Sequence, residues 1–407
     1  MNLKECQPVY DSVKGSYHKL KTICIFAAHF YPHLGGIERY TQNLAKQFIQ
    51  KGHRVIVVTS NTDNSPWNEI IDDIVVYRLP ILKFIGGRLP IPLVNKKFFK
   101  IMKLLFKKDI DYFIINARFY IHSLLGAAIA RSKRRPALLI EHGTGHFTLN
   151  NRVLDFIGRM YEHSITYFLK RLVKNFYGVS SACNLWLKHF NIEAKGVFYN
   201  SIDRNYSYKR SIEYRKNFKL NQEDVIITYT GRLIPEKGIL LLTEAFNRLS
   251  DIHNNIYLFV AGDGPLYPQM KKMVNNKIYM LGRIDYDEVM SLMRDTDIFV
   301  LPTNFPEGLP TSVLEAGISK CAVIATPRGG TPEVITNNEL GILIDPIKLE
   351  ELVDALNFLI LNRERRIEIS NNLYNKVFEN FDWSVVSNQV LLEFEKIELP
   401  KKTIGER

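Results

Sequence analysis

Two glutamates with seven residues between them frame the segment Glu307-Gly308-Leu309-Pro310-Thr311-Ser312-Val313-Leu314-Glu315. Proline favours a first helical turn, so a helix should start near Pro310, just after the apolar run Asp297-Ile-Phe-Val-Leu301. Glu307 then lies in the loop and Glu315 in the second turn. Free N–H groups from Leu309 to Ser312 would offer an anion site at the helix start. Carboxylates beside an anion repel it, but they suit hydroxyls: Glu307 could hold a sugar and Glu315 the diol of a ribose. Taken alone, the segment reads as a loop glutamate and a solvated helix glutamate.

The countercharge comes from Thr230-Gly231-Arg232-Leu233-Ile234-Pro235-Glu236-Lys237-Gly238. Arginine grips phosphate oxygens bidentately and lysine adds a mobile point charge, so Arg232 and Lys237 together suit a diphosphate. Gly35 and Gly36 fall at a strand-to-helix turn, where backbone can approach a ligand. Their spacing is not the G-x-G-x-x-G fingerprint. Gly262-Asp263-Gly264-Pro265 reads as a turn with a secondary ligand contact. Gly329-Gly330-Thr331-Pro332-Glu333 reads as a turn or a further wall of a cleft. The loop Gly282-Arg283-Ile284 could supply backbone contacts to a nucleotide base. His142 follows the run Leu138-Leu-Ile-Glu141 and either packs structurally or faces the cleft; His122 and His146 read as structural.

These loops need scaffolds. Short β-rich runs alternate with helical stretches along the chain, and many runs are continuously apolar, as parallel strands buried on both faces are. The predicted strands include Thr22–Ala28, Arg54–Ser60, Tyr112–Asn116, Ala137–Glu141, Phe176–Ser180, Val225–Thr230, Tyr257–Ala261, Asp297–Leu301 and Ala322–Thr326. The pattern restarts near residue 204 after a polar segment, Asp203 to Asp224, read as a linker. The expected fold class is α/β, with two facing Rossmann-like doubly wound domains and a cleft between them. Residues 1–203, with a C-terminal helix over about 383–407 packing back, form the first. Residues 204–382 form the second.

The 407 residues carry a net charge of +12, unevenly placed. Residues 1–200 hold 29 Lys/Arg against 13 Asp/Glu, or +16, leaving −4 for the remainder. Such asymmetry suggests an anionic partner for the first half. No zinc-finger, RNP or helix-turn-helix pattern points to nucleic acid. Val94 to Lys108 is basic and amphipathic, with Phe98, Ile101, Met102 and Leu105 on one face. That pattern fits an interfacial membrane helix, or equally a buried-face helix with a solvated basic side. No apolar run reaches the ~18 residues of a membrane span, and Met1 to Ser16 lacks an apolar signal segment. Cys6, Cys24, Cys183 and Cys321 are widely spaced, which points to a reducing compartment and away from structural zinc. The expected location is cytoplasmic, peripheral to the inner face of a membrane.

Together these residues resemble the retaining family 4 glycosyltransferases of GT-B architecture. The matches run in order: Gly35-Gly36-Ile37-Glu38, His142, Tyr199-Asn200-Ser201-Ile202-Asp203, Gly231-Arg232 with Lys237-Gly238, Ala261 to Pro265, Pro306 to Ala316, and Gly330 to Ile335. The resemblance implies a nucleotide-sugar donor. Arg232 and Lys237 would neutralise its diphosphate, Glu307 would contact its sugar and Glu315 its ribose. His142 would sit by the sugar on the acceptor side, and Gly35 and Gly36 against phosphate or acceptor. Gly262, Arg283, Ile284, Gly308, Leu309, Pro310 and Thr311 complete the donor set. No cofactor and no metal are implied, and the second-half loops are read as free of an Asp-x-Asp pair. The implied acceptor is a glycan or lipid-linked glycan precursor. Two departures stand out: Ser201 replaces a usual glycine, and Ala117-Arg118-Phe119 supplies no second catalytic residue. A nucleotide-sugar 2-epimerase and a non-catalytic binding module remain as alternatives.

Overall fold

In the computed structural model, residues 20–33, 35–84, 87–148, 151–204, 211–344 and 348–398 are described. The first half comprises β1 (Thr22–Phe26), α1 (Gly36–Gln50), β2 (Arg54–Ser60), β3 (Asn68–Ile71), β4 (Ile74–Leu79), β5 (Ile81–Phe84) and β6 (Leu89–Pro92). It continues with α2 (Lys96–Lys107), β7 (Tyr112–Asn116), α3 (Ile121–Ser132), β8 (Ala137–Glu141), α4 (Arg152–Leu172), β9 (Asn175–Gly178), α5 (Ser181–Lys188) and β10 (Gly196–Val197). The second half holds α6 (Tyr214–Asn217), β11 (Val225–Thr230), α7 (Ile239–Ser250), β12 (Ile256–Ala261), α8 (Tyr267–Met270), β13 (Ile278–Gly282), α9 (Tyr286–Asp295) and β14 (Ile298–Leu301). After these come α10 (Thr311–Ile318), β15 (Ala322–Ala325), α11 (Thr331–Val334), β16 (Ile342–Leu343), α12 (Leu349–Leu361), α13 (Arg363–Asn380) and α14 (Trp383–Glu398).

Two sheets result. The first has the order β10-β9-β8-β7-β1-β2-β4-β3, parallel except for β3, which runs antiparallel beside β4. The second has the order β13-β12-β11-β14-β15-β16 and is parallel throughout. Both follow the doubly wound rule, in which strand order reverses beside the first strand and ligands bind outside the carboxyl ends there. The reversals fall between β1 and β7 and between β11 and β14. The continuous apolar strands explain themselves: Val225–Thr230 and Ile298–Leu301 are buried along their whole length, with helices on both faces.

Three expectations change. The strand predicted over Phe176–Ser180 closes at Gly178, because the Ser180 hydroxyl turns to cap α5 and accepts from the Cys183 N–H at 3.2 Å. The segment read as a linker is partly built into the second half. Tyr214 is buried against Ile226, Phe259 and Leu292, and Arg215 pairs with Asp297 at 2.5 Å. The apolar face of α2 is not available to a membrane either. Phe98, Ile101 and Leu105 are buried in the core under the first sheet, with Met102 packed beside them. Among the described residues, no helix is long and apolar enough to cross a membrane. Cys24, Cys183 and Cys321 are buried free thiols.

The chain passes between the two halves twice. Near the first passage Ile202 forms a parallel bridge with Asp382 of the second. The Ile202 N–H donates to the Phe381 carbonyl at 3.0 Å, and the Trp383 N–H donates to the Ile202 carbonyl at 3.2 Å. Beyond it α14 returns to the first sheet. Trp383 meets Tyr40 edge-on, Phe394 stacks on Tyr112 at 4.3 Å, and Glu393 accepts from the Tyr177 hydroxyl at 2.8 Å.

Candidate active site

The loops at the two strand-order reversals face each other. From the second half, the loop after β11 carries Arg232 and Lys237. Gly238 ends its short turn at φ 73°, in the left-handed region, where a Cβ would also overlap the Pro302 carbonyl. Only glycine fits there, so β11 and β14 can approach and bring the two loops together. The Arg232 guanidinium and the Lys237 ammonium lie 5.4 Å and 5.2 Å from the Phe305 ring centre. Lys237 forms an ion pair with Glu307, whose Oε1 also accepts from the Thr303 hydroxyl at 3.2 Å. Among the described residues no carboxylate pairs with Arg232.

The helix expected near Pro310 begins at Thr311, with Pro310 as its N-cap and no side-chain cap. Its first N–H groups therefore remain uncapped by side chains, beside the two cations. Glu315 is 5% exposed one turn on. Arg39 of α1 reaches across from the first half and donates to its Oε1 at 3.1 Å, while its guanidinium lies 4.8 Å from the Tyr286 ring centre. Burial raises the Glu315 carboxyl above its ordinary range, and Arg39 opposes the rise.

From the first half, His142 stands past β8 as expected. Its Nε2 lies 3.0 Å from the Asn116 amide oxygen, and the same amide donates to the Thr41 hydroxyl at 2.7 Å. Tyr40 meets its ring edge-on at 4.7 Å. Burial pushes its imidazole down to about 3, so the ring is neutral at neutral pH. Gly35 precedes α1, and the Glu38 carboxylate folds back beneath it to hold His33 at 3.0 Å. That contact raises the His33 imidazole above its usual value, with Arg283 of the second half acting in the opposite sense. Nothing within 4 Å crowds a Cβ at Gly36. Gly262 lies directly against the Gly231 carbonyl, which makes it a backbone packing position.

The halves touch along the glutamate segment itself. The Thr144 hydroxyl donates to the Glu307 carbonyl at 2.9 Å, the Ser180 hydroxyl to that of Gly308 at 2.9 Å, and the Asn200 amide to that of Leu309 at 3.0 Å. Glu333 accepts from the N–H groups of Ser181 and Ala182 at 2.9 and 3.2 Å, so the Gly330–Glu333 motif caps α5 of the other half. His122 is structural, as expected: it is fully buried against the Ser60 hydroxyl at 3.0 Å.

Several contributors escaped the sequence reading. Arg118, set aside there, is 1% exposed. It lies 3.1 Å from Glu141 and donates to Glu162 at 3.0 Å. Glu141 in turn accepts from the N–H of His142 at 3.0 Å and of Gly143 at 3.2 Å, so this buried network sets the His142 backbone. A lone arginine after an apolar strand hints that carboxylates await it, because a buried charge must be paired. Asp-x-Asp pairs do occur, contrary to expectation, at Asp295-Thr296-Asp297, where both carboxylates hold Arg215, and at Asp285-Tyr286-Asp287. Asp285 there caps α9 in a capping box with Glu288, which accounts for the spacing by helix initiation.

Two opposed Rossmann-like sheets, with cations, an uncapped helix start and buried carboxylates at their facing reversal points, define a nucleotide-sugar transferase of GT-B type. The comparisons agree. The description "Glycosyl transferases group 1" matches residues 211–376 and "Glycosyltransferase Family 4" matches residues 34–206. The chain belongs to the family 4 glycosyltransferases. It is 27% identical to an uncharacterized glycosyltransferase of Methanocaldococcus jannaschii, over 93% of this chain and 99% of that one. It is 23% identical to the GPI3 subunit of phosphatidylinositol N-acetylglucosaminyltransferase from Saccharomyces cerevisiae, over 91% of this chain and 81% of the relative. The structure of Anabaena HepE in complex with UDP and glucose superposes with a TM-score of 0.72 at 19% identity, covering 93% of this chain and all of that one.

Proposed function

We propose that this glycosyltransferase moves a sugar from a nucleoside-diphosphate sugar to a lipid-linked glycan precursor, with retention at the anomeric carbon and without a metal. One observation carries the donor half: Arg232, Lys237, Glu307, Glu315 and the start of α10 converge at one strand-order reversal. As the glycosidic bond breaks, charge grows on the departing diphosphate. Fixed cations and N–H groups stabilise it where it develops, a role a divalent ion plays elsewhere. Glu307 orients sugar hydroxyls and Glu315 the ribose diol, which would draw Glu315 away from Arg39. Neutral His142 offers a ring nitrogen for the sugar face, and the acceptor attacks on the side the diphosphate leaves. The single most informative measurement is turnover of a panel of UDP-, GDP- and ADP-sugars, with and without lipid-extract acceptor. One donor should be consumed slowly alone and rapidly with acceptor. Equal consumption in both arms with an isomerised nucleotide sugar would make the chain an epimerase, and binding without turnover a carrier.

The acceptor half rests on α4. Val153, Phe156, Ile157 and Met160 are 68%, 63%, 56% and 58% exposed, and Tyr167 and Phe168 are exposed further along. Arg152, Arg159 and Arg171 lie on the same helix, within the half of the chain that carries +16. An apolar, basic helix of this kind lies in the headgroup region of an anionic bilayer. It follows directly on the loop that holds His142 and Thr144, which supports a reading in which the cleft opens on a membrane-embedded acceptor at the cytoplasmic face. The GPI3 relative, by its name, acts on phosphatidylinositol. Vesicles rich in phosphatidylglycerol should float the wild-type chain at low salt. The triple change F156S/I157S/M160S should weaken that binding at least about 100-fold, since each side chain is worth ~1–2 kcal/mol on partial burial. Wild-type protein that stays at the bottom of the gradient removes the membrane from the proposal.

A further inference from the structure

We infer that His146, His163 and His189 form a binding site for a divalent ion of the zinc class, separate from the donor cleft. The three come from different elements: the loop after β8, the middle of α4 and the C-terminal cap of α5. One ring nitrogen from each lies within 4.8 Å of the other two. Three imidazoles on a tetrahedral zinc ion stand about 3.4 Å apart, given Zn–N bonds of ~2.0–2.1 Å. Side-chain rotation of about an ångström closes that gap, and His163 and His189 are exposed enough to make it.

Two features prepare the site. The Glu162 carboxylate, 2% exposed, lies 3.1 Å from His146 Nδ1. It is itself fixed by the Phe147 N–H at 2.8 Å and by Arg118 at 3.0 Å. A carboxylate on Nδ1 commits that nitrogen to its proton and leaves the Nε2 lone pair for a metal, the arrangement that orients histidine ligands in general. His189 is laid flat on the Trp186 indole, 4.8 Å away and 5° from parallel, which restrains its ring. Among the described residues no hydrogen bond occupies the ring nitrogens of His163 or His189. The site opens onto a groove of about 570 Å³ lined by His163, Lys170, His189 and Phe190, which leaves a fourth position for water. Imidazole donors favour zinc over magnesium or calcium.

The ion would tie the loop carrying His142 and Thr144 to α4 and α5. Its role is to brace the acceptor wall, not to meet the diphosphate. The test uses the untagged full chain after chelator treatment. Competition against a chromophoric zinc indicator should give one equivalent bound at micromolar affinity or tighter, with a melting temperature several degrees higher in zinc. Cobalt loading should give the visible bands of a tetrahedral site. His163→Ala with His189→Ala, both at exposed positions, should lower zinc affinity at least 100-fold, whereas His33→Ala, in a separate group formed with His29 and Glu38 before α1, should leave it unchanged. Absence of stoichiometric zinc at tens of micromolar would overturn the assignment. So would zinc binding that survives the double change or disappears with His33→Ala.

Discussion

Arg232→Ala combined with Lys237→Ala will lower sugar transfer by at least about three orders of magnitude at saturating donor, with the fold intact. A single preorganised donor at a developing oxyanion is worth about 10²–10³ in turnover, and these two lie together beside the Phe305 ring, where the diphosphate is proposed to bind. The single changes should not be equal. Arg232 is exposed and lacks a carboxylate partner among the described residues, so its removal subtracts charge and little else. Lys237 is paired with Glu307, which is 9% exposed. Removing the lysine leaves a poorly hydrated carboxylate facing the phosphate, and an uncompensated buried charge costs more than the pair contributes. Lys237→Ala should therefore be the more damaging, with Lys237→Gln between. Single-turnover rates with the identified donor, alongside melting temperatures, provide the check. Rates within tenfold of wild type for the double variant would remove the diphosphate assignment.

Gly308→Ala should cut turnover about 100-fold while leaving nucleotide affinity nearly unchanged. Gly308 is not among the glycines with left-handed backbone, so alanine is conformationally acceptable. The obstacle is contact: a Cβ would overlap the His142 carbonyl and crowd the Val179 side chain, both on the opposite half. Neighbouring backbone is pinned by the Thr144, Ser180 and Asn200 hydrogen bonds, so the cheapest relief is for the halves to part. The loops proposed to hold the nucleotide belong to one half, so its affinity should stay. The sugar loses the wall that excludes water and aligns the acceptor. Calorimetric titration of the nucleoside diphosphate, with transfer and hydrolysis rates side by side, tests this. Hydrolysis should gain on transfer. Gly196→Ala, whose Cβ would make only ordinary contact with Tyr177 at 3.6 Å, serves as the control and should be neutral. Unimpaired transfer by Gly308→Ala would mean that the contact is not part of the working conformation.

The donor side was legible because its chemistry is written in adjacent residues. Pro310 marks a helix start, glycines mark tight loops, and the strands that aim them are continuous apolar runs. What was hidden depends on distant partners. Nothing near Arg39 in the chain announces Glu315, 276 positions away. The Arg118 network joins three elements, and its carboxylates read locally as ordinary charges. The Glu333 motif read as a turn or a cleft wall, because the sequence shows a turn and not the distant helix it caps. The basic amphipathic segments show a different limit. Periodicity reports that a helix has an apolar face, not what covers it. In α2 that face is roofed by the sheet, whereas the start of α4 exposes large apolar side chains that its sequence gave no special reason to single out.

The bridge between Ile202 and Asp382 bears on how such an enzyme opens. A body hung from one thread can swivel about any direction. Two threads laced side by side act as a door hinge, with a single axis running along the seam. The hydrogen bonds linking Ile202 to Phe381 and Trp383 make that lacing, and Arg204 fastens it again to Asp382 at 3.4 Å. An opening about that seam would swing the second half along one arc and return it in register with His142. Alignment is inherited from the seam and need not be found anew at every turnover.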